Sequence, residues 1–126
     1  MNRRLTGIVL SHAALAQGLV DAVRQITGES GGLVAVSNDG CDTGELGRRL
    51  AAAIGGADAV VFVDLPGGSC LQAAMRHMKD SASVSIVAGV NLAMLLDFIY
   101  QRHLTPADAA RRAAEQGVRA VRALPA

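Results

Sequence analysis

A histidine and an aspartate that could carry out group transfer each follow an apolar segment of the chain. His12 comes shortly after the apolar residues 5–10, and Asp64 comes directly after residues 59–63. A neutral imidazole is a nucleophile near pH 7, and a carboxylate that holds the proton of one ring nitrogen leaves the lone pair of the other nitrogen free. These residue types predict a nucleophilic histidine with an orienting aspartate. If Asp64 holds Nδ1–H, Nε2 is the reacting nitrogen.

Small and hydroxyl-bearing residues stand beside this pair. Ser11 precedes the histidine, and Gly67, Gly68 and Ser69 follow the aspartate. A glycine-rich turn that opens a helix presents backbone N–H groups to an anion, and serine hydroxyls add further donors, so this set is suited to bind a phosphoryl group. The alternative is structural, because glycines form ordinary turns and a serine or aspartate at these places often caps a helix.

Four short apolar segments, rich in β-branched residues, must position these side chains, and a helical pattern follows each of them. They span residues 5–10, 33–36, 59–63 and 84–87. Continuous apolar segments of this kind are typical of parallel strands covered by helices on both faces. We expect an α/β fold with a doubly wound, mainly parallel sheet of four to five strands, residues 120–124 being either a last edge strand or a frayed helix end.

The helical segments have recognisable ends and apolar faces. Asp42, Asn91 and Thr105 stand where helices are expected to begin, and Gly28 stands where the first is expected to end. Residues at helical spacing predict the buried stripes of the first and third helices. These are Leu15, Leu19, Ala22, Val23 and Ile26 in the first, and Leu71, Ala74, Met75 and Met78 in the third. Because strands one and three are neighbours in common doubly wound sheets, we expect Asp64 to reach His12.

Composition limits the classes of function. A chain of 126 residues with 51% apolar content predicts one domain over residues 1–126. The net charge of +1 and the presence of only two phenylalanines and one tyrosine argue against nucleic-acid binding. Cys41 and Cys70 lack the spacing of a zinc site, so we expect reduced thiols and no metal. The apolar stretch before His12 is too short for a signal peptide or membrane span, which predicts a cytoplasmic protein without membrane insertion.

Three ordered segments resemble the enzyme IIA domain of the mannose-type sugar phosphotransferase system. They are GIVLSH at residues 7–12, FVDLPGGS at residues 62–69 and AGVNLAML at residues 88–95. The resemblance implies a homodimer, often with the last strand exchanged between subunits. It implies that His12 accepts a phosphoryl group from the phosphocarrier protein HPr and passes it to a IIB component. Asp64 would orient the histidine and Ser69 would lie in the phosphoryl pocket, with no metal or organic cofactor.

The chain departs from this family beside the expected site, which keeps other functions open. Ala13 stands where the family usually has glycine, Pro66 where an aromatic residue is common, and Cys70 where a proline is usual. These changes are compatible with a divergent regulatory relative, and the phosphocarrier subunit of dihydroxyacetone kinase is a further alternative. A response-regulator receiver is disfavoured, because the first strand ends without an acidic pair. A dinucleotide-binding protein is disfavoured because no GxGxxG follows that strand.

Overall fold

The elements alternate along the chain as the sequence predicts. A computed structural model describes residues 4–29, 31–78 and 83–125. The strands are β1 (Thr6–Ser11), β2 (Leu33–Ser37), β3 (Ala59–Val63) and β4 (Val84–Ala88). The helices are α1 (Leu15–Thr27), α2 (Thr43–Ile54), α3 (Ser69–Met78), α4 (Leu92–Ile99) and α5 (Pro106–Ala120). No helix in these ranges is both long and apolar enough to cross a membrane.

The four strands form one parallel sheet in the order β2-β1-β3-β4. Successive side chains of a strand point to opposite faces, and the two faces contribute to two separate apolar cores. Val9 and Phe62 belong to a core that includes residues of α1, α4 and α5, whereas Ile8 and Val61 belong to a core with residues of α2 and α3. Helices cover both faces, so the predicted doubly wound α/β class is confirmed.

Local capping chemistry fixes several helix ends at the predicted residues. The side chains of Asp42, Asn91 and Thr105 accept hydrogen bonds from backbone N–H groups three residues ahead, at 2.8, 3.1 and 3.2 Å. Gly28 ends α1 in the left-handed region, with a φ of 75°. These side-chain acceptors satisfy N–H groups that have no partner within a helix.

The two predicted apolar stripes are right in part: Val23 and Ala74 are buried, and Leu19 and Leu71 pack against the cores. In α1 the buried residues are Ala16, Val20 and Val23, whereas Leu15 and Ile26 are 49% and 60% exposed. In α3 the buried residues include Cys70, Ala73 and Ala74, whereas Met75 is 56% exposed. Small residues allow a helix to lie close to the sheet, and the larger apolar residues beside them are then turned outward.

Several element boundaries also differ from the sequence prediction, and β2 and β4 each end one residue later than predicted. The first strand runs from Thr6 to Ser11, one residue later than the predicted segment 5–10. Helix α5 includes Ala120, and the described residues 121–125 belong to no strand. The sheet therefore has four strands within the described part of this single chain, and residues 121–125 lie beyond the last helix as a non-helical segment.

Candidate active site

The site lies where two neighbouring strands end at the same edge of the sheet. Strands β1 and β3 pair in parallel, with Leu10 opposite Val63. The residues that follow these strands therefore emerge side by side at the carboxyl edge, where open α/β sheets usually bind their ligands. Parallel pairing thus joins His12 to Asp64, which are 52 positions apart in the sequence.

His12 and Asp64 form a close and directional pair. The distance from His12 Nδ1 to Asp64 Oδ2 is 2.7 Å, and the same oxygen accepts a hydrogen bond from the backbone N–H of His12 at 2.9 Å. The His12 side chain is 47% exposed, whereas the Asp64 side chain is only 9% exposed. A carboxylate at Nδ1 favours the tautomer that carries its proton there, which leaves the Nε2 lone pair for an electrophile.

The electrostatics of Asp64 keep it ionised beside the imidazole. Burial acts to raise the pKa of this carboxyl, but the hydrogen bonds from the backbone and ring of His12 outweigh that effect, and the pKa lies below its ordinary value. The second carboxylate oxygen, Oδ1, is buried and has no hydrogen-bond partner. Asp64 is therefore an anion whose Oδ2 is bound by His12 and whose Oδ1 is not hydrogen-bonded.

A tight turn carries His12 away from the strand. Ala13 has a φ of 50°, in the left-handed region that residues with a Cβ rarely adopt. Two serine hydroxyls hold this turn: Ser37 Oγ donates to the carbonyl of Ala13 at 2.8 Å, and Ser11 Oγ accepts from the N–H of Ala16 at 2.7 Å. The role of Ser37 was not foreseen, because only the folded register brings β2 beside this turn.

The structure places Ser11 differently from the expectation that it binds a phosphoryl group. Ser11 is fully buried, and its hydroxyl also donates to the carbonyl of His12 at 3.2 Å. A hydroxyl has a single proton, and because this one is donated to His12 it is not available to a phosphoryl oxygen. In this structure Ser11 supports the backbone of the turn.

The glycine-rich loop follows Asp64 and opens α3. Gly67 and Gly68 are exposed, and a Cβ added to either would meet no other atom within 4 Å. Gly68 has a φ of 93°, which favours glycine at this position. Ser69 is the first residue of α3, so this loop leads directly into the amino-terminal turn of a helix, where backbone N–H groups lack helical partners. The arrangement leaves open space and donors beside the histidine–aspartate pair.

Cys70 lies close to the pair, which the sequence did not indicate. One ligand atom each from His12, Asp64 and Cys70 lies within 4.8 Å of the other two. Burial and the negative charge of Asp64 raise the pKa of Cys70 to about 11, despite a hydrogen bond from the Ser69 side chain. Cys70 is therefore a buried, protonated thiol at neutral pH.

Comparison with known structures identifies the class of fold. The structure is similar to the mannose/sorbose specific IIA subunit of a phosphotransferase system from Enterococcus faecalis, with 25% identity, a TM-score of 0.84, and coverage of 98% of this chain and 96% of that chain. A IIA protein associated with a fucose utilization operon of Streptococcus pneumoniae gives 20% identity, a TM-score of 0.77, and coverage of 90% and 91%. The fold is thus that of mannose-type IIA proteins.

The sequence itself gives the family. Residues 7–115 match the family described as PTS system fructose IIA component, where PTS denotes the sugar phosphotransferase system. The chain belongs to this family, whose members act in general as phosphocarrier components of that system. The same fold occurs in a sigma-54 interaction domain protein from Enterococcus faecalis, with 14% identity, a TM-score of 0.76, and coverage of 94% and 96%. No curated protein matches the sequence.

Proposed function

We propose that this chain accepts a phosphoryl group from HPr on Nε2 of His12 and transfers it to a IIB component. The observation that carries the proposal is the 2.7 Å contact between His12 Nδ1 and Asp64 Oδ2, together with the exposure of the imidazole. A histidine fixed on one nitrogen and open on the other is suited to reversible phosphorylation. Family membership supports a phosphocarrier role of this general kind.

The transfer requires no group beyond the two proteins. The Nε2 lone pair attacks phosphorus, an N–P bond forms, and the bond from phosphorus to the donor breaks with its electron pair remaining on the donor. The Nδ1 proton stays on the ring, and the carboxylate of Asp64 stabilises the positive charge that the imidazole gains. Gly67, Gly68 and Ser69 would donate hydrogen bonds to the phosphoryl oxygens. Transfer to the IIB component is the same displacement with His12 as the leaving group.

Exposed apolar side chains near the site support a protein as donor and acceptor. Leu15 lies three residues after His12 and is 49% exposed, and Leu65 directly follows Asp64 and is 55% exposed. Apolar side chains that flank a reactive group are common at protein interfaces. We infer that HPr and the IIB component bind over these residues in turn, in the cytoplasm and without insertion of this chain into a membrane.

We further propose that the chain is a homodimer that exchanges its last segment. Val118, Val121 and Leu124 are between 72% and 81% exposed, and β4 is an edge strand with one side unpaired within this sheet. Pairing of residues 121–124 with β4 of a second copy would cover both features. Light scattering on the purified chain should give a dimer, and a chain that ends at Ala120 should give a monomer. A monomeric full chain would contradict this proposal.

A phosphorylation assay tests the main proposal. Incubation with phosphoenolpyruvate, enzyme I and HPr should add one acid-labile phosphoryl group to the intact protein, as measured by mass spectrometry. His12→Ala should abolish this gain, whereas His103→Ala, at another exposed histidine, should retain it. Addition of a IIB partner should then remove the group. An unmodified wild-type chain in the presence of a competent HPr would overturn the transport role and favour the regulatory relative.

A further inference from the structure

A further metal-ligating side chain, Cys70, lies beside His12 and Asp64, and the proposed phosphoryl transfer does not use it. Within the described ranges, a ring nitrogen of His12, a carboxylate oxygen of Asp64 and the thiol of Cys70 lie within 4.8 Å of one another. Ligand atoms around a tetrahedral zinc ion lie about 3.3 to 3.8 Å apart, given bond lengths of about 2.0 to 2.3 Å. For all three to bind one ion, the 2.7 Å contact between His12 and Asp64 would have to lengthen by about 1 Å while the Cys70 sulfur keeps or shortens its distance to both.

The carboxylate supplies a second and independent observation. Asp64 Oδ1 is buried without a hydrogen-bond partner, although the side chain is only 9% exposed. A buried carboxylate oxygen that lacks a partner is costly, because it has lost water and gained nothing in exchange. Both hydrogen bonds from His12 go to the other oxygen, Oδ2. A cation between Asp64 and Cys70 would satisfy the unpartnered oxygen.

The set of donors selects the kind of cation. Imidazole nitrogen, carboxylate oxygen and thiolate sulfur are the ligands of zinc, whereas magnesium and calcium prefer oxygen ligands throughout. Three protein ligands leave a fourth position for water, and the exposed side of His12 gives the ion a route of entry. The thiol loses its proton to solvent when the metal–sulfur bond forms.

We propose that His12, Asp64 and Cys70 bind one zinc ion, and that this ion prevents phosphorylation of His12. Because Asp64 faces Nδ1, an ion that Asp64 also binds would lie on Nδ1. Zinc on Nδ1 would leave the proton of the neutral ring on Nε2, which is then not a nucleophile. Bound zinc and phosphohistidine are therefore mutually exclusive. The binding half of this inference stands alone, and the inhibitory half rests on the proposed function.

Cobalt is the probe that reports the thiolate directly. Titration of the full chain with Co²⁺ under reducing conditions should give visible bands of a tetrahedral ion and a near-ultraviolet sulfur-to-cobalt charge-transfer band. Cys70→Ser should lose the charge-transfer band, whereas Cys41→Ser, at the other cysteine, should keep it. Circular dichroism should show that both variants are folded, and Cys70→Ala serves as a second variant if Cys70→Ser is not. A wild-type chain without the charge-transfer band would overturn the site.

Zinc affinity and phosphorylation are then measured separately. Competition with a chromophoric chelator should show that Cys70→Ser, His12→Ala and Asp64→Asn each weaken Zn²⁺ binding at least about tenfold. Purified phosphorylated HPr should phosphorylate the wild type in the presence of a chelator, and stoichiometric Zn²⁺ should block the reaction. Cys70→Ser should be phosphorylated with or without Zn²⁺. Equal Zn²⁺ affinity in wild type and Cys70→Ser would overturn the inference.

The two proposals fail in different ways. Zinc binding through Cys70 without phosphorylation in the chelated sample would contradict the proposed function and leave the metal site in place. Phosphorylation that Zn²⁺ does not affect, in a chain that binds Zn²⁺ through Cys70, would overturn the inhibitory half alone. Millimolar Mg²⁺ in place of Zn²⁺ should have no effect on phosphorylation, and inhibition by Mg²⁺ would contradict the selection by sulfur.

Discussion

The polar groups at the amino end of the sheet bind the backbone, whereas those at the carboxyl end are left partly without hydrogen-bond partners. At the amino end, Arg102 Nε donates to the carbonyl of Leu5 at 2.7 Å, and the carbonyl of Arg102 accepts from the N–H of Leu5 at 2.8 Å. The N–H of Thr6 donates to the carbonyl of Asp58 at 3.0 Å. A charged side chain is thus used to hold the backbone at the start of β1, where it contributes to stability.

At the carboxyl end, polar side chains contact each other, and some of their hydrogen-bonding atoms have no partner. Asp64 binds His12 through one oxygen and keeps the other unpartnered, and Ala13 holds a left-handed backbone conformation. Unsatisfied polar atoms and unfavourable dihedral angles each cost free energy, and such costs are concentrated at functional sites. We expect changes at this end to alter chemistry more than stability, and changes at the amino end to do the reverse.

The largest effect is expected for Asp64→Asn. The amide can present N–H groups to Nδ1 and so favour the tautomer with its proton on Nε2, which removes the nucleophile. The rate of phosphorylation by HPr, followed by rapid quenching and intact-mass measurement, should fall about 100-fold or more.

Asp97→Asn is a matched control for this change. Asp97 is 11% exposed, also has one buried oxygen without a partner, and pairs with Arg112 at 3.1 Å between α4 and α5. Its burial resembles that of Asp64, but it does not contact His12. The rate of phosphorylation should be unchanged in Asp97→Asn. An equal loss of rate in both variants would mean that a general loss of packing, and not the orientation of the histidine, is responsible.

The next largest effect should appear in stability at the amino end. Gly32 has a φ of 101°, and a Cβ there would lie 2.8 Å from Cζ of Arg102. Gly32→Ala should therefore lower the free energy of unfolding in urea by about 2 kcal/mol, from backbone strain and from displacement of the arginine. The rate of phosphorylation at 25 °C should stay within a factor of two.

Gly31→Ala separates this effect from the general loss of a glycine. A Cβ at Gly31 would meet no atom within 4 Å, and its φ lies outside the left-handed region. The free energy of unfolding should change by less than about 0.5 kcal/mol. If both substitutions lower the free energy of unfolding equally, the contact with Arg102 does not stabilise the amino end as described above.

The sequence predicted the fold well because its signals are local. Apolar segments and capping residues act over a few positions, so the four strands and the caps at Asp42, Asn91 and Thr105 follow from short stretches of chain. The buried face of α1 was assigned only in part, because Leu15 and Ala16 are adjacent and both apolar. Only the direction in which the whole helix docks on the sheet decides which of them is buried.

The candidate site was predictable in part for the same reason. Strand ends at a shared edge predicted that Asp64 reaches His12, and the structure brings them to 2.7 Å, while their role in catalysis stays a prediction. The burial of Ser11 and the approach of Cys70 were not predictable. The first depends on the direction of one hydroxyl in a turn, and the second on how α3 begins after the glycines.

A smaller effect is expected in the pH dependence of stability. The pKa of Asp64 is lower in the folded chain than its ordinary value of about 3.9, so the unfolded chain binds more protons in that range. The stabilisation is complete above the unfolded pKa and is lost as the pH falls through the folded pKa. The free energies of unfolding of wild type and Asp64→Asn, measured in urea and plotted against pH, should converge as the pH is lowered toward this acidic range. Curves that stay parallel would show that Asp64 titrates alike in both states.

The smallest effect tests whether the turn at His12 is strained. A left-handed alanine costs about 1 kcal/mol, and replacement by glycine removes this cost but adds flexibility to the unfolded chain. Ala13→Gly should therefore raise the free energy of unfolding by about 0.5 kcal/mol. Ala51→Gly, at an exposed position inside α2, should instead lower it by about 1 kcal/mol, because glycine there has only the entropic penalty. Urea unfolding of both variants shows whether their free energies of unfolding change in opposite directions. If Ala13→Gly is also destabilising, the backbone at the carboxyl end is relaxed, and the cost at this end comes from the unpartnered oxygen of Asp64 alone.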